Sequence, residues 1–103
     1  MKHLVRIRIT PQAGLTIEDR PGGPHPIVAR LVERFKPEAL YASPARREIF
    51  MVCDLAPADM AELMLAGDRF AGERPDFTPV VEGKEFGALL GKAIPAARKL
   101  IEG

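Results

Sequence analysis

Apolar and polar residues alternate from His3 to Thr10. Val5, Ile7 and Ile9 fall on one side and Leu4, Arg6 and Arg8 on the other, the period of two that a half-buried strand requires. From Arg47 to about Asp54 the alternation changes character. Ile49, Met51 and Cys53 interleave with Phe50 and Val52, so both faces are apolar, as in a central strand covered on both sides. Two shorter strands are predicted over Ala39 to Ser43 and Phe77 to Val81. Pro79 puts the latter at an edge or a bulge, because proline donates nothing to a ladder. Ser43-Pro44-Ala45-Arg46 reads as a type I turn with proline at its second position.

Helical spacing begins at Pro26, whose missing N–H costs nothing in a first turn. Ile27, Val28, Leu31, Val32 and Phe35 then form a stripe that runs to about Lys36 and stops at Pro37. A second helix starts at Pro57, with Asp59 near the positive end of its dipole and Met60, Leu63 and Met64 as its apolar side. Beyond residue 82, Phe86, Leu89, Leu90, Ala93, Ile94, Ala97, Leu100 and Ile101 recur at spacings of three and four. This predicts a third helix over 82–102, kinked or restarted near Pro95. Residues 10–26 hold Pro11, Gly14, Pro21, Gly22, Gly23, Pro24 and Pro26, and read as a long Pro/Gly loop, either a lid or a disordered insert.

The order strand, helix, strand, strand, helix, strand predicts one α+β domain spanning 1–103, with a ferredoxin-like β-α-β-β-α-β topology and an added C-terminal helix. Short connections and right-handed crossovers place the first and third strands at the centre of an antiparallel four-stranded sheet with both helices on one face. Val5, Ile7 and Ile9 then face the helices. Leu4, Phe50 and Val52 remain with Arg6 and Arg8 on the open side, and a second subunit packed there makes a homodimer.

The segments HLVRIRIT, the Pro-containing loop, the hairpin around YASPARREIFMV and the stretch RPDFTPVV resemble muconolactone isomerase and its relatives among the dimeric α/β barrels. The resemblance implies a ferredoxin-like fold and a dimer, and no catalytic residue is carried over. That superfamily includes isomerases, cofactor-free monooxygenases and haem enzymes, so the fold alone names no activity. The helix after Val81 departs from the short tail of muconolactone isomerase.

Composition narrows the classes. Apolar residues make up 47% of the chain and charged residues 28%, the proportions of a folded globular domain. The net charge of +1 gives no global field toward nucleic acid, although residues 1–52 carry nine Lys/Arg against five Asp/Glu and the remainder six against nine. RREIFMVC has one aromatic residue and no glycine, unlike an RNA-binding strand. No apolar run reaches the roughly 18 residues of a membrane span. With one cysteine and no signal-like amino-terminal core, the chain is expected to be cytoplasmic; its Arg, Ala, Pro and Gly bias suggests a bacterial source.

Candidate chemistry is sparse. Arg6 and Arg8 are candidates to bind a carboxylate through bidentate hydrogen bonds, against the plainer reading of cross-strand ion pairs with Glu48 or Asp54. His25, next to the first helix, and Glu18, in the loop, are the candidate proton-moving groups, and Tyr41 the candidate substrate-orienting hydroxyl. Each also has a plain reading, as solvated loop residues and a packed aromatic. Cys53 reads as a small core residue and His3 as solvent-exposed. Two separated histidines make no zinc site, and no metal or cofactor is expected. The absence of Asn and Trp counts against cofactor-free monooxygenase chemistry. Two functions remain: a non-catalytic small-molecule binding or structural dimer, or an isomerase or lyase acting on a small anionic organic acid.

Overall fold

Strand β1 (Lys2–Arg8) follows the alternation of its residues: His3, Val5 and Ile7 are buried, while Leu4, Arg6 and Arg8 lie on the other side. The computed structural model describes all 103 residues. Thr10 caps helix α1 (Pro11–Glu18), its Oγ1 accepting from the Ala13 N–H at 3.2 Å, with Pro11 in the first turn. Helix α2 (His25–Phe35) ends where Lys36 turns left-handed at φ 47°. Strands β2 (Ala39–Ser43) and β3 (Glu48–Asp54) form a hairpin, and α3 (Pro57–Phe70), β4 (Asp76–Pro79) and α4 (Gly83–Glu102) complete the chain.

The four strands form one antiparallel sheet in the order β2-β3-β1-β4. The register pairs Val5 with Met51, Ile7 with Ile49 and Arg6 with Phe50, so residues of like character share a side. Val5, Ile7, Met51, Cys53 and Leu55 pack with Leu31 of α2 and Leu63 of α3 into the core on one face. Fully burying a side chain of this size contributes roughly 1.5–3 kcal/mol, which makes this face the main source of cohesion. Arg34 of α2 donates to Asp59 and Glu62 of α3 at 3.1 and 2.8 Å and fastens the two covering helices together. Asp59 also accepts from the Ala56 N–H, and these bonds hold its carboxyl below the usual range.

Two expectations are corrected. Residues 10–26 are not an unbroken loop, because Pro11–Glu18 is helical. Proline is favourable in a first turn, Thr10 supplies the cap, and burial of Ile17 outweighs the weak helix propensity of Gly14. His3 is not solvent-exposed: it retains 4% of its accessible surface and faces the core, with its Nδ1 2.9 Å from the Met1 carbonyl oxygen. That contact gives the ring a polar partner and lets an imidazole occupy an inward strand position.

Helix α4 stands apart. Every residue from 81 to 103 is exposed, and the molecule measures 59 × 28 × 24 Å. Its radius of gyration is 17.3 Å, against about 13 Å for a compact chain of this length. Within α4, Gly87 and Gly91 each cost about 1 kcal/mol relative to alanine and Pro95 about 3 kcal/mol. Short helices draw most of their stability from packing an apolar face, and α4 has no such packing within one chain. No helix is long and apolar enough to cross a membrane.

Gly67 shows how tightly α3 approaches the segment before β4. A Cβ there would lie 2.7 Å from both Cδ and Cγ of Pro75, a rigid ring that has no alternative rotamer to adopt. Gly67→Ala should therefore destabilise the protein by about 1 kcal/mol, the overpacking cost of about 1–3 kcal/mol exceeding the gain in helix propensity. A urea titration showing a lower midpoint at unchanged slope checks this, and an unchanged or higher midpoint refutes it.

Candidate functional site

On the helix-covered side of the sheet, α1, α2 and the β2–β3 hairpin enclose a cavity of about 390 Å³. Ile9, Ile17, Val28, Ala42 and Ile49 supply its apolar wall. Glu18 and Arg47 supply charge at its mouth. The Arg47 guanidinium grips the Glu18 carboxylate with two bonds, Nε to Oε2 at 3.0 Å and Nη2 to Oε1 at 3.2 Å. The pair ties the hairpin turn to the last residue of α1 and stays partly open to water, its side chains 36% and 48% exposed. Arg47 reaches there by crossing Gly14, where a Cβ would lie 2.8 Å from its Cδ. Glycine at 14 is thus the residue that lets the guanidinium lie over the mouth.

The local chain explains this placement. Pro44 opens the hairpin turn, and Arg47 closes it in the left-handed region at φ 51°, while its carbonyl accepts from the Ile9 N–H at 2.9 Å. That bond pins the turn to the residue following β1. Thr10 N–H donates to the Ala71 carbonyl at 2.9 Å, which fixes the start of α1 against the end of α3. Glu18 is then carried to the mouth by one short helix.

The other candidate residues lie elsewhere. Tyr41, Phe50, Arg6 and Asp76 form one cross-strand row on the open face of the sheet. Arg6 sits 6.0 Å from the centre of the Phe50 ring and donates to Glu48 from Nη2 at 2.8 Å and Nε at 3.3 Å. Arg8 donates to Asp76 at 2.6 Å and to Glu73 at 3.1 Å. Both guanidinium groups are therefore paired with carboxylates of the same chain, and the plainer cross-strand reading describes Arg6. Tyr41 is 73% exposed. His25 is exposed at the start of α2, on the covered side, so the sheet separates it from Arg6 and Tyr41. Of the five residues selected from the sequence, Glu18 alone lines the cavity.

Arg47 escaped the sequence reading because it stood as the start of the third strand. The signal available was a turn ending in Arg46-Arg47, which is common on protein surfaces and indicates no partner. The register also sets His3 opposite Cys53, a pairing the sequence does not reveal. Burial, helped by the nearby Glu38 charge, pushes the Cys53 thiol up, so it remains an un-ionised core group rather than a nucleophile. No three His, Cys, Asp or Glu side chains gather as metal ligands. Comparison with family models, curated proteins and solved structures finds no match to this chain.

Glu48 gives the site region a pH dependence. Its hydrogen bonds from Arg6 hold its carboxyl below the usual range, against the opposing effect of burial. A carboxyl whose folded value is depressed contributes stability above its unfolded value of about 4.3 and loses it as pH falls through the folded value. Glu48→Gln should lower stability at neutral pH and flatten the decline below about pH 4, the two proteins converging in acid. Denaturant titrations across pH measure the difference; parallel curves would rule out the Arg6–Glu48 bond as its source.

Proposed function

We propose that this chain is a homodimeric, non-catalytic binding domain for a small amphipathic anion, whose apolar body fills the cavity beneath Arg47 and whose carboxylate meets the guanidinium. The observation that carries this reading is the combination of an apolar wall with one two-pronged cation at its mouth. The volume falls within the range of small-molecule sites, about 300–1,000 Å³. A ligand carboxylate can take the place of Glu18 with the same paired geometry. The exchange costs little, because an exposed ion pair contributes about 1 kcal/mol at most.

The strand order and the placement of α2 and α3 on one face support a ferredoxin-like reading, with α1 and α4 as additions. The mixed open face supports a second copy, as the resemblance to dimeric α/β barrels implies. The alternative, an isomerase or lyase on a small organic acid, asks acid and base groups to converge on the ligand. Glu18 is on the cavity, whereas Arg6, Arg8 and Tyr41 lie across the sheet and His25 outside the cavity wall. The geometry thus favours holding a ligand over transforming it.

Calorimetric titration with octanoate, decanoate and 3-phenylpropionate tests this directly, with octanol as the uncharged control. Arg47→Ala should weaken binding of the acids by about tenfold or more, ~1.4 kcal/mol, and leave octanol unchanged. Ala42→Phe should obstruct the cavity and abolish both. If none of the acids binds, or if they bind equally well without Arg47, the proposal fails.

A further inference from the structure

Two surfaces of this chain lack cover. One is the side of α4 that carries Phe86, Leu89, Leu90, Ile94, Leu100 and Ile101, each 40–86% exposed. At 100° per residue these side chains, with Ala93 and Ala97 between them, occupy an arc of about 140° along the whole helix. The other is the open face of the sheet, where Leu4 and Tyr41 are exposed and Phe50 and Val52 half-buried. We propose that α4 crosses the open sheet face of a second copy of this chain, and that the second copy returns its own α4 in the same way. This inference rests on the homodimeric reading and adds which surfaces meet.

Four features select this arrangement. The two faces match in size: α4 is about 30 Å long by its rise per residue, whereas four strands span about 15 Å between the outer axes. A stable interface takes about 800 Å² from each partner, and the six large side chains of α4 with the four on the sheet supply area of that order. Reciprocal exchange buries both surfaces twice, whereas pairing α4 with α4 leaves the sheet open. The charges on the sheet face are already neutralised within the chain, Lys2 by Glu38 at one end and Arg6 and Arg8 by Glu48, Asp76 and Glu73 at the other, so covering the strip between them strands none of these charges.

The path of the chain also directs α4 outward. Val80 N–H donates to the Lys2 carbonyl at 3.0 Å, and Glu82 is extended at φ −66° and ψ 145°, so the ladder runs into the helix without the reversal needed to fold back on its own sheet. Pro95 lies on the side of α4 opposite the apolar arc. The hydrogen bond it lacks lets the helix open on its polar side, which makes the apolar side concave toward the surface it covers.

The test joins Val52 of the sheet to Ile94 of α4. With Cys53→Ala as background, Val52→Cys and Ile94→Cys are made singly and together in the full chain and treated with a short bismaleimide. Covalent dimers from the double variant but from neither single variant are the expected result. Efficient dimers from Ile94→Cys alone, linkage within one chain, or no linkage in a protein that is dimeric by light scattering each overturn the arrangement and leave the dimer reading standing. A wild-type mass equal to one chain of 11.3 kDa, rather than twice that, removes both. As a second variant that spares the core, Leu90→Lys with Ile94→Lys should halve the mass while octanoate binding persists; a dimer of undiminished stability overturns the proposal.

Discussion

The pairing of β1 with β3 is the constraint on which the molecule depends. Val5 opposite Met51, Ile7 opposite Ile49 and His3 opposite Cys53 give the sheet a continuous buried side. A slip of one residue would turn Arg6 and Arg8 into the core and Val5 and Ile7 out of it, so register and burial enforce one another. The same pairing makes Arg6 and Phe50 neighbours on the other side. It thereby decides which residues can belong to a pocket and which to a contact surface.

From this division comes the separation of the polar groups. Arginines on a central strand need carboxylates within reach, and neighbouring strands and the segment before β4 provide Glu48, Asp76 and Glu73. Their charge is spent on holding the open face in order. Arg47 is different in kind, because it comes from a turn and its partner comes from a helix at the edge of a cavity. An ion pair joining two exposed elements separates more readily than one fixed across adjacent strands, and that contrast distinguishes a mouth from a framework.

Much of the framework was legible in the sequence, since alternation and helical spacing report burial directly. β1, β2, β3, α2, α3 and α4 all follow from such patterns. α1 was hidden because proline and glycine signal both loops and helix starts, and only the tertiary burial of Ile17 resolves the ambiguity. Glu18 was selected for its chemistry and does lie at the cavity, although on a helix. Arg47 and the inward position of His3 depend on how a turn and a strand end are tied to distant segments, through Ile9 and Met1 respectively. Periodicity carries no information about such ties.

The backbone at Arg47 gives the hairpin turn a further meaning. A left-handed φ of 51° suits glycine or asparagine, and for a long side chain it costs about 1–2 kcal/mol. Glycine would close the turn with less strain, and an arginine one residue earlier would carry the same charge from an ordinary conformation. The chain instead tolerates the strain at the one position from which a guanidinium crosses Gly14. Backbone comfort is thus exchanged for reach, and position 47 becomes the place where a change that stabilises the fold would empty the mouth of its cation.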